Sequence, residues 1–157
     1  MSQSTPPVYE HFVPHLICDP CPEAIEFYKK ALGAEETFRM PAQDGKRILH
    51  ACLKVGNAMF FVNDDFPEFC GKSQSPQALQ GTPVTMHRYV DDVDGAIQKA
   101  VDAGATVVMP AADMFWGDRY GIVLDPFGHS WSFAKHIKDM TPEEMTEAMK
   151  KACDQDE

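Results

Sequence analysis

Bulky side chains recur at two spacings along this chain, every second residue in some stretches and every third or fourth in others. The order of the two spacings repeats. Residues 12–18 (Phe-Val-Pro-His-Leu-Ile-Cys) predict a strand, followed by the turn Asp19-Pro20-Cys21-Pro22. From Glu23 to Leu32 the apolar residues Ala24, Ile25, Phe27, Tyr28, Ala31 and Leu32 fall at helical spacing, and Gly33 ends the run as a C-cap. Residues 35–41 predict a second strand, Asp44-Gly45 a hairpin turn, 47–55 a third strand, Gly56-Asn57 a turn and 58–63 a fourth strand. The unit is β-α-β-β-β.

The same order then returns. Residues 64–81, with Pro67, Gly71 and Pro76, predict a loop. Strand 84–90 leads to a helix from Val93 or Asp94 to Ala103, stopped by Gly104. Strand 105–109, a loop 111–118, strand 119–124, the turn Asp125-Pro126-Phe127-Gly128 and strand 129–135 complete a second module. Side by side, His15 meets His87, Asp19 meets Asp91, Gly56 meets Gly128, and Met59-Phe60-Phe61 meets Trp131-Ser132-Phe133, each 72 residues on. A last helix opens with a capping box, Thr141 at N-cap and Glu144 at N3 with Pro142 between them. Its stripe of Met145, Ala148, Met149 and Ala152 predicts that it docks. The expected fold is α+β in one domain over 1–157: module one 11–63, linker 64–81, module two 82–136 and the C-terminal helix 141–153. The cleft between sister modules is the place to expect chemistry.

Composition narrows the class. With 44% hydrophobic and 24% charged residues the chain is an ordinary globular sequence. A net charge of −10 argues against nucleic-acid or anionic-membrane partners, which need basic patches. No apolar run is long enough to span a bilayer, and the first residues carry no signal region, so a cytoplasmic protein is expected. Asp154, Asp156 and Glu157 predict a frayed acidic tail. The five cysteines are read as reduced thiols. Cys18 and Cys21 spell CxxC, but Val90 and Val93 stand at the matching places in module two, which makes them apolar fillers.

Strand alternation sorts the candidate chemistry. Phe12, Pro14, Leu16 and Cys18 share one face of the first strand, and Val13, His15 and Ile17 the other; Met86, Arg88 and Val90 likewise oppose Thr85, His87 and Tyr89. The helix takes the more apolar face, which leaves His15 and His87 on the other. His50 shares parity with Cys52 and Lys54 and joins them as a candidate proton donor or acceptor. Trp116, Arg119 and Tyr120 lie in the stretch 114–120, from the predicted loop into the start of the next strand, where large aromatic and cationic groups suit a ligand ring and an anionic group. His129 reads as a turn residue, and His11 and His136 as exposed strand ends.

The paired modules, the stretch Ala-Ile-Glu-Phe-Tyr-Lys-Lys-Ala-Leu-Gly-Ala-Glu (24–35) and Asp-Pro-Phe-Gly-His-Ser-Trp (125–131) resemble the glyoxalase/bleomycin-resistance/extradiol-dioxygenase superfamily, the vicinal oxygen chelate proteins. Gly-Thr-Pro-Val-Thr (81–85) and Met-Phe-Trp-Gly-Asp-Arg-Tyr-Gly (114–121) resemble its PhnB-like subgroup. The resemblance implies a cup-shaped incomplete barrel, often dimeric, so a homodimer is expected. In metal-dependent members a divalent ion sits in the cup on His, Gln or Glu ligands. Here those positions fall on Val13, Phe60, Thr85 and Ser132, none a good ligand, so no standard metal site and no confident cofactor is expected. His15 and His87 remain weak candidates for Zn, Ni, Fe or Mn, helped at most by His50 or Cys52. Tyr89, Phe60 and Ser132 join Trp116, Arg119 and Tyr120 as expected ligand-binding residues. Three functions follow from the resemblance: a glyoxalase-like protein holding a small polar or aromatic molecule; a metal-dependent lyase, isomerase or dioxygenase; or a drug-sequestering protein.

Overall fold

The computed structural model describes residues 12–153. His11 and the acidic tail 154–157 lie outside the described residues. The chain divides into two compact units, Met1–Gly81 and Thr82–Glu157. The first holds β1 (His15–Ile17), α1 (Cys21–Leu32), β2 (Glu35–Pro41), β3 (Ile48–Val55), β4 (Ala58–Asn63), α2 (Pro67–Cys70) and α3 (Pro76–Leu79). The second holds β5 (Thr85–Tyr89), α4 (Val93–Asp102), β6 (Thr106–Asp113), β7 (Asp118–Leu124), β8 (Ser130–His136) and α5 (Pro142–Cys153). Each unit builds one four-stranded mixed sheet, in the order β1-β4-β3-β2 or β5-β8-β7-β6. The first strand runs parallel to the fourth, and the other neighbours are antiparallel. The fold is thus the expected α+β class with a C-terminal helix.

Alternation decides which sheet face each helix covers. Leu16, Cys18, Ala51, Leu53, Phe60 and Val62 are buried, as are Ala24, Ile25 and Tyr28 of α1. The Tyr28 ring stands edge-on to Phe60 at 5.4 Å. Lys29 of α1 pairs with Glu36 of β2 on the same side. In the second unit Val93, Ile97 and Ala100 of α4 are buried along with Val123, Trp131 and Phe133. Gly121 makes that packing possible, because a Cβ there would stand 2.4 Å from Ile97 Cδ1.

Four local expectations are corrected. First, α1 starts at Cys21 rather than Glu23, because the buried Asp64, just past β4, accepts the Cys21 N–H at 2.8 Å and the Ile48 N–H at 2.5 Å. This is a cap supplied from 43 residues away. Second, residues 64–81 are no plain loop. The Asp65 carboxylate accepts from Gln74 N (2.9 Å), Ser75 N (3.0 Å) and the Ser73 hydroxyl, and the one-turn helices α2 and α3 form around that anchor. Third, β6 runs on to Asp113 through two register shifts that broke the period-two pattern, so the predicted loop 111–118 shrinks to a turn closed by Met114 N–H to Asp118 O at 2.7 Å. Fourth, α5 has its reciprocal capping box, Thr141 N to Glu144 (2.8 Å) and Glu144 N to Thr141 (3.2 Å), yet its apolar stripe is not sealed. Met145 and Ala148 are half-buried, while Met149 and Ala152 are exposed.

Candidate functional site

On the sheet face away from α1, ladder pairing sets His15, Phe61, Cys52 and Phe38 in one transverse row. His50, two residues before Cys52 and paired with Met40, leans over this row. Its ring lies 4.7 Å from Phe61, 5.5 Å from His15 and 6.2 Å from Phe38, and its Nε2 is 3.5 Å from Cys52 Sγ. Burial lowers the His15 pKa and the neighbouring His50 lowers it further, while the Asn63 amide works the other way. The structure thus brings His15, His50 and Cys52, each named from the sequence, together on one face, and adds Phe61 and Phe38.

The second sheet repeats the design with different chemistry. His87, Ser132, Ile122 and Met109 form the matching row, and Tyr89, Ala134, Tyr120 and Ala112 the next one. His87 Nδ1 is 2.8 Å from Ser132 Oγ. The Tyr89 ring stands edge-on to the imidazole at 4.9 Å, and Tyr120 stacks on it at 6.0 Å and 23°. Trp116, on the turn before β7, meets Tyr120 edge-on at 5.7 Å. Of the predicted residues, His87, Ser132, Tyr89, Tyr120 and Trp116 are thus gathered together.

Two predicted ligand residues go elsewhere. Phe60 is 4% exposed and packs on Tyr28, in the helix-covered core. The repeat slips along the chain: His15 and His87 are 72 apart, but the row partners Phe61 and Ser132 are 71 apart and Cys52 and Ile122 are 70 apart. A constant offset of 72 turns a fourth-strand residue to the wrong face, since one residue of slip inverts a strand. The residue that takes in the first module the place Ser132 takes in the second is Phe61, not Phe60. Arg119 alternates with Tyr120 and serves the helix side. Its guanidinium holds Asp94 of α4 at 2.6 and 2.7 Å and Asp113 at 2.8 Å. The anionic groups it meets are internal ones.

The remaining residues read as structure. Asp125 accepts from Phe127 N, His129 N and Trp131 Nε1, each at 2.9 Å, so its turn fixes His129 as a turn residue. Cys18 and Cys21 are fully buried, and burial, with Asp64 close by, pushes the Cys21 thiol up to about 12, the opposite of a redox thiolate. His136 is an exposed strand end as expected, but both ring nitrogens are engaged, by Asp118 (2.8 Å) and Asp139 (2.9 Å). For a metal, the donor chemistry is poor: among the described residues no three His, Cys, Asp or Glu side chains are grouped to hold an ion.

Two β-α-β-β-β modules, each with a histidine on the sheet face its helix leaves free, define a class of protein built by internal duplication. The chain belongs to the Glyoxalase/Bleomycin resistance protein/Dioxygenase superfamily, whose model matches residues 9–133. It is 48% identical to the Mycobacterium tuberculosis protein Rv0887c over 137 residues, 87% of this chain and 80% of that one. A solved structure of the Arabidopsis thaliana At5g48480 gene product matches 80% of this chain and 98% of its own, at 30% identity and a TM-score of 0.64. The crystal structure of TioX from Micromonospora sp. ML1 matches 84% of this chain and 100% of its own, at 29% identity and a TM-score of 0.60.

Proposed function

We propose that this glyoxalase-fold protein holds a small, planar, polar or aromatic molecule against the histidine faces of its sheets, without the metal used by metal-dependent relatives. The observation that supports this most is the pair of matching rows, His15-Phe61-Cys52-Phe38 and His87-Ser132-Ile122-Met109. Each places an imidazole beside apolar or aromatic surface, the mixture that small-molecule sites use. His15, His50 and His87 are the proton donors and acceptors of this reading, and Tyr89, Tyr120 and Trp116 supply ring surface. Residues 81–85 and 114–121 favour the PhnB-like subgroup.

Tryptophan emission gives the test. Saturable quenching by planar probes is expected, carried mainly by Trp116, lost in Trp116→Phe and weakened in His15→Ala and His87→Ala. Absence of saturable quenching by any planar probe sinks the reading. Turnover of a bound probe would favour an enzyme, and tight binding without turnover a sequestering protein. The same proposal takes the protein as a cytoplasmic homodimer. The edge strands β2 and β6 carry Phe38, Met40, Val107 and Val108 exposed, apolar edges that a second copy would cover. Sedimentation at twice the mass of one chain is the expected outcome.

A further inference from the structure

The contact between His87 and Ser132 specifies more than proximity. Ser132 is 1% exposed, and among the described residues its hydroxyl has one hydrogen-bond partner, His87 Nδ1 at 2.8 Å. A hydroxyl carries one proton to place, and a buried donor left unused is costly. If Nδ1–H donated to Ser132 Oγ, the Ser132 proton would have no acceptor. If Ser132 O–H donates to Nδ1, the buried hydroxyl and Nδ1 are both satisfied, and the neutral imidazole must then carry its proton on Nε2. That nitrogen is on the other side of the ring from Ser132. The side chains beside His87 on this face are Thr85, Tyr89, Tyr120 and Ile122, with no carboxylate among them. The exposed His87 therefore offers an N–H donor, framed by two tyrosine rings, with no acceptor supplied by its own row.

We propose that Ser132 is a positioning residue that fixes His87 as the Nε2–H tautomer, and that the ligand group meeting this face is a hydrogen-bond acceptor, a carbonyl or carboxylate oxygen next to a planar ring. The ligand half of this inference rests on the binding reading above; the tautomer half stands without it. The geometry also works against a metal on His87, because Nε2 would first have to lose its proton and Ser132 turn away.

The tautomer is read directly from long-range proton–nitrogen spectra of the protein with nitrogen-labelled histidine, at a pH where the ring is neutral. The Nε2–H signature is expected in the unaltered protein, its loss or mixing in Ser132→Ala, and its return in Ser132→Thr. An Nδ1–H signature in the unaltered protein overturns the inference and needs no variant. Acetophenone, benzoate and ethylbenzene then probe the ligand class. Either oxygen-bearing probe should bind about tenfold tighter than ethylbenzene, with the advantage shrinking in Ser132→Ala and restored in Ser132→Thr. Preference for acetophenone alone assigns a carbonyl, and preference for benzoate alone a carboxylate. If all three bind equally, the face binds rings but the inference is wrong. If none binds, the binding reading falls and the proposed ligand class falls with it.

Discussion

The guanidinium of Arg119 is shared between the first turn of α4, through Asp94, and the end of β6, through Asp113. Those contacts hold both carboxylate partners in a fixed fork, and the pairing lowers the Asp94 pKa. A ligand anion would have to displace two carboxylates already in place. Arg119→Gln should therefore lower the melting temperature while leaving the affinity for ring probes unchanged, measured by thermal denaturation and tryptophan quenching on one preparation. A loss of affinity with an unchanged melting temperature would return Arg119 to the ligand set. The cysteines make a second test at this scale. Cys18 and Cys21 are fully buried, Cys52 is 4% exposed, and Cys70 is exposed on α2. Brief alkylation of the native protein, mapped by peptide mass spectrometry, should label Cys70 far ahead of those three. Labelling of Cys21 at a comparable rate would contradict a thiol held protonated by burial.

At the scale of elements, the hydrophobic period carried most of the outline because each helix buries one stripe and each strand one parity. What it missed was fixed by contacts that hydrophobic spacing does not record. The start of α1 depends on Asp64, the folded linker on Asp65, and the length of β6 on a hairpin register that passes through irregularities. Gly121 belongs to the same class: nothing in its neighbours marks it, yet it lies 2.4 Å, measured from an added Cβ, from Ile97 of α4, with β6 backbone at 3.1 Å. Gly121→Ala should cost about 1–3 kcal/mol by overpacking between α4 and β6, read from denaturant unfolding. A neutral result would mean that Ile97 turns aside at no cost. The segment after β8 makes a further prediction. Ile137 N and Lys138 N both donate to Gly117 O, and His136 bridges Asp118 and Asp139. Asp118, then Asp139, raise the His136 pKa, so the protonated ring is favoured in the folded protein. That contribution is complete below the ordinary histidine value of 6.5 and is lost as pH rises through the raised folded value. Lys135, Arg88 and Asp91 line a groove together with His136. Amide protection at Ile137 and Lys138, corrected for intrinsic exchange, should fall as pH climbs through that window and stay flat in His136→Gln.

For the molecule as a whole, duplication explains why the site was half legible. Paired histidines at equal spacing announced themselves in the sequence, because both copies kept the residue on the first strand. The fourth strands were misread by one residue, since the offset drifts between modules and only ladder pairing shows that Phe61, not Phe60, stands opposite His15 as Ser132 stands opposite His87. The copies have also diverged in chemistry: thiol, imidazole pair and phenyl rings in one sheet, hydroxyl, imidazole and phenol rings in the other. Neither row holds a carboxylate, and a divalent ion needs charged or well-grouped donors to be held firmly. His15, His50 and Cys52 lie near one another without being grouped to hold an ion. Thus protein stripped with chelator should bind planar probes with unchanged affinity, and added Zn²⁺ or Ni²⁺ should bind weakly and lose that binding in His15→Ala. Elemental analysis of the purified protein provides the complementary measurement. Stoichiometric metal that survives dialysis, with probe affinity falling once it is removed, would replace the metal-free reading with a His-centred metalloenzyme. Unchanged affinity after stripping would leave the two histidine rows as the binding machinery.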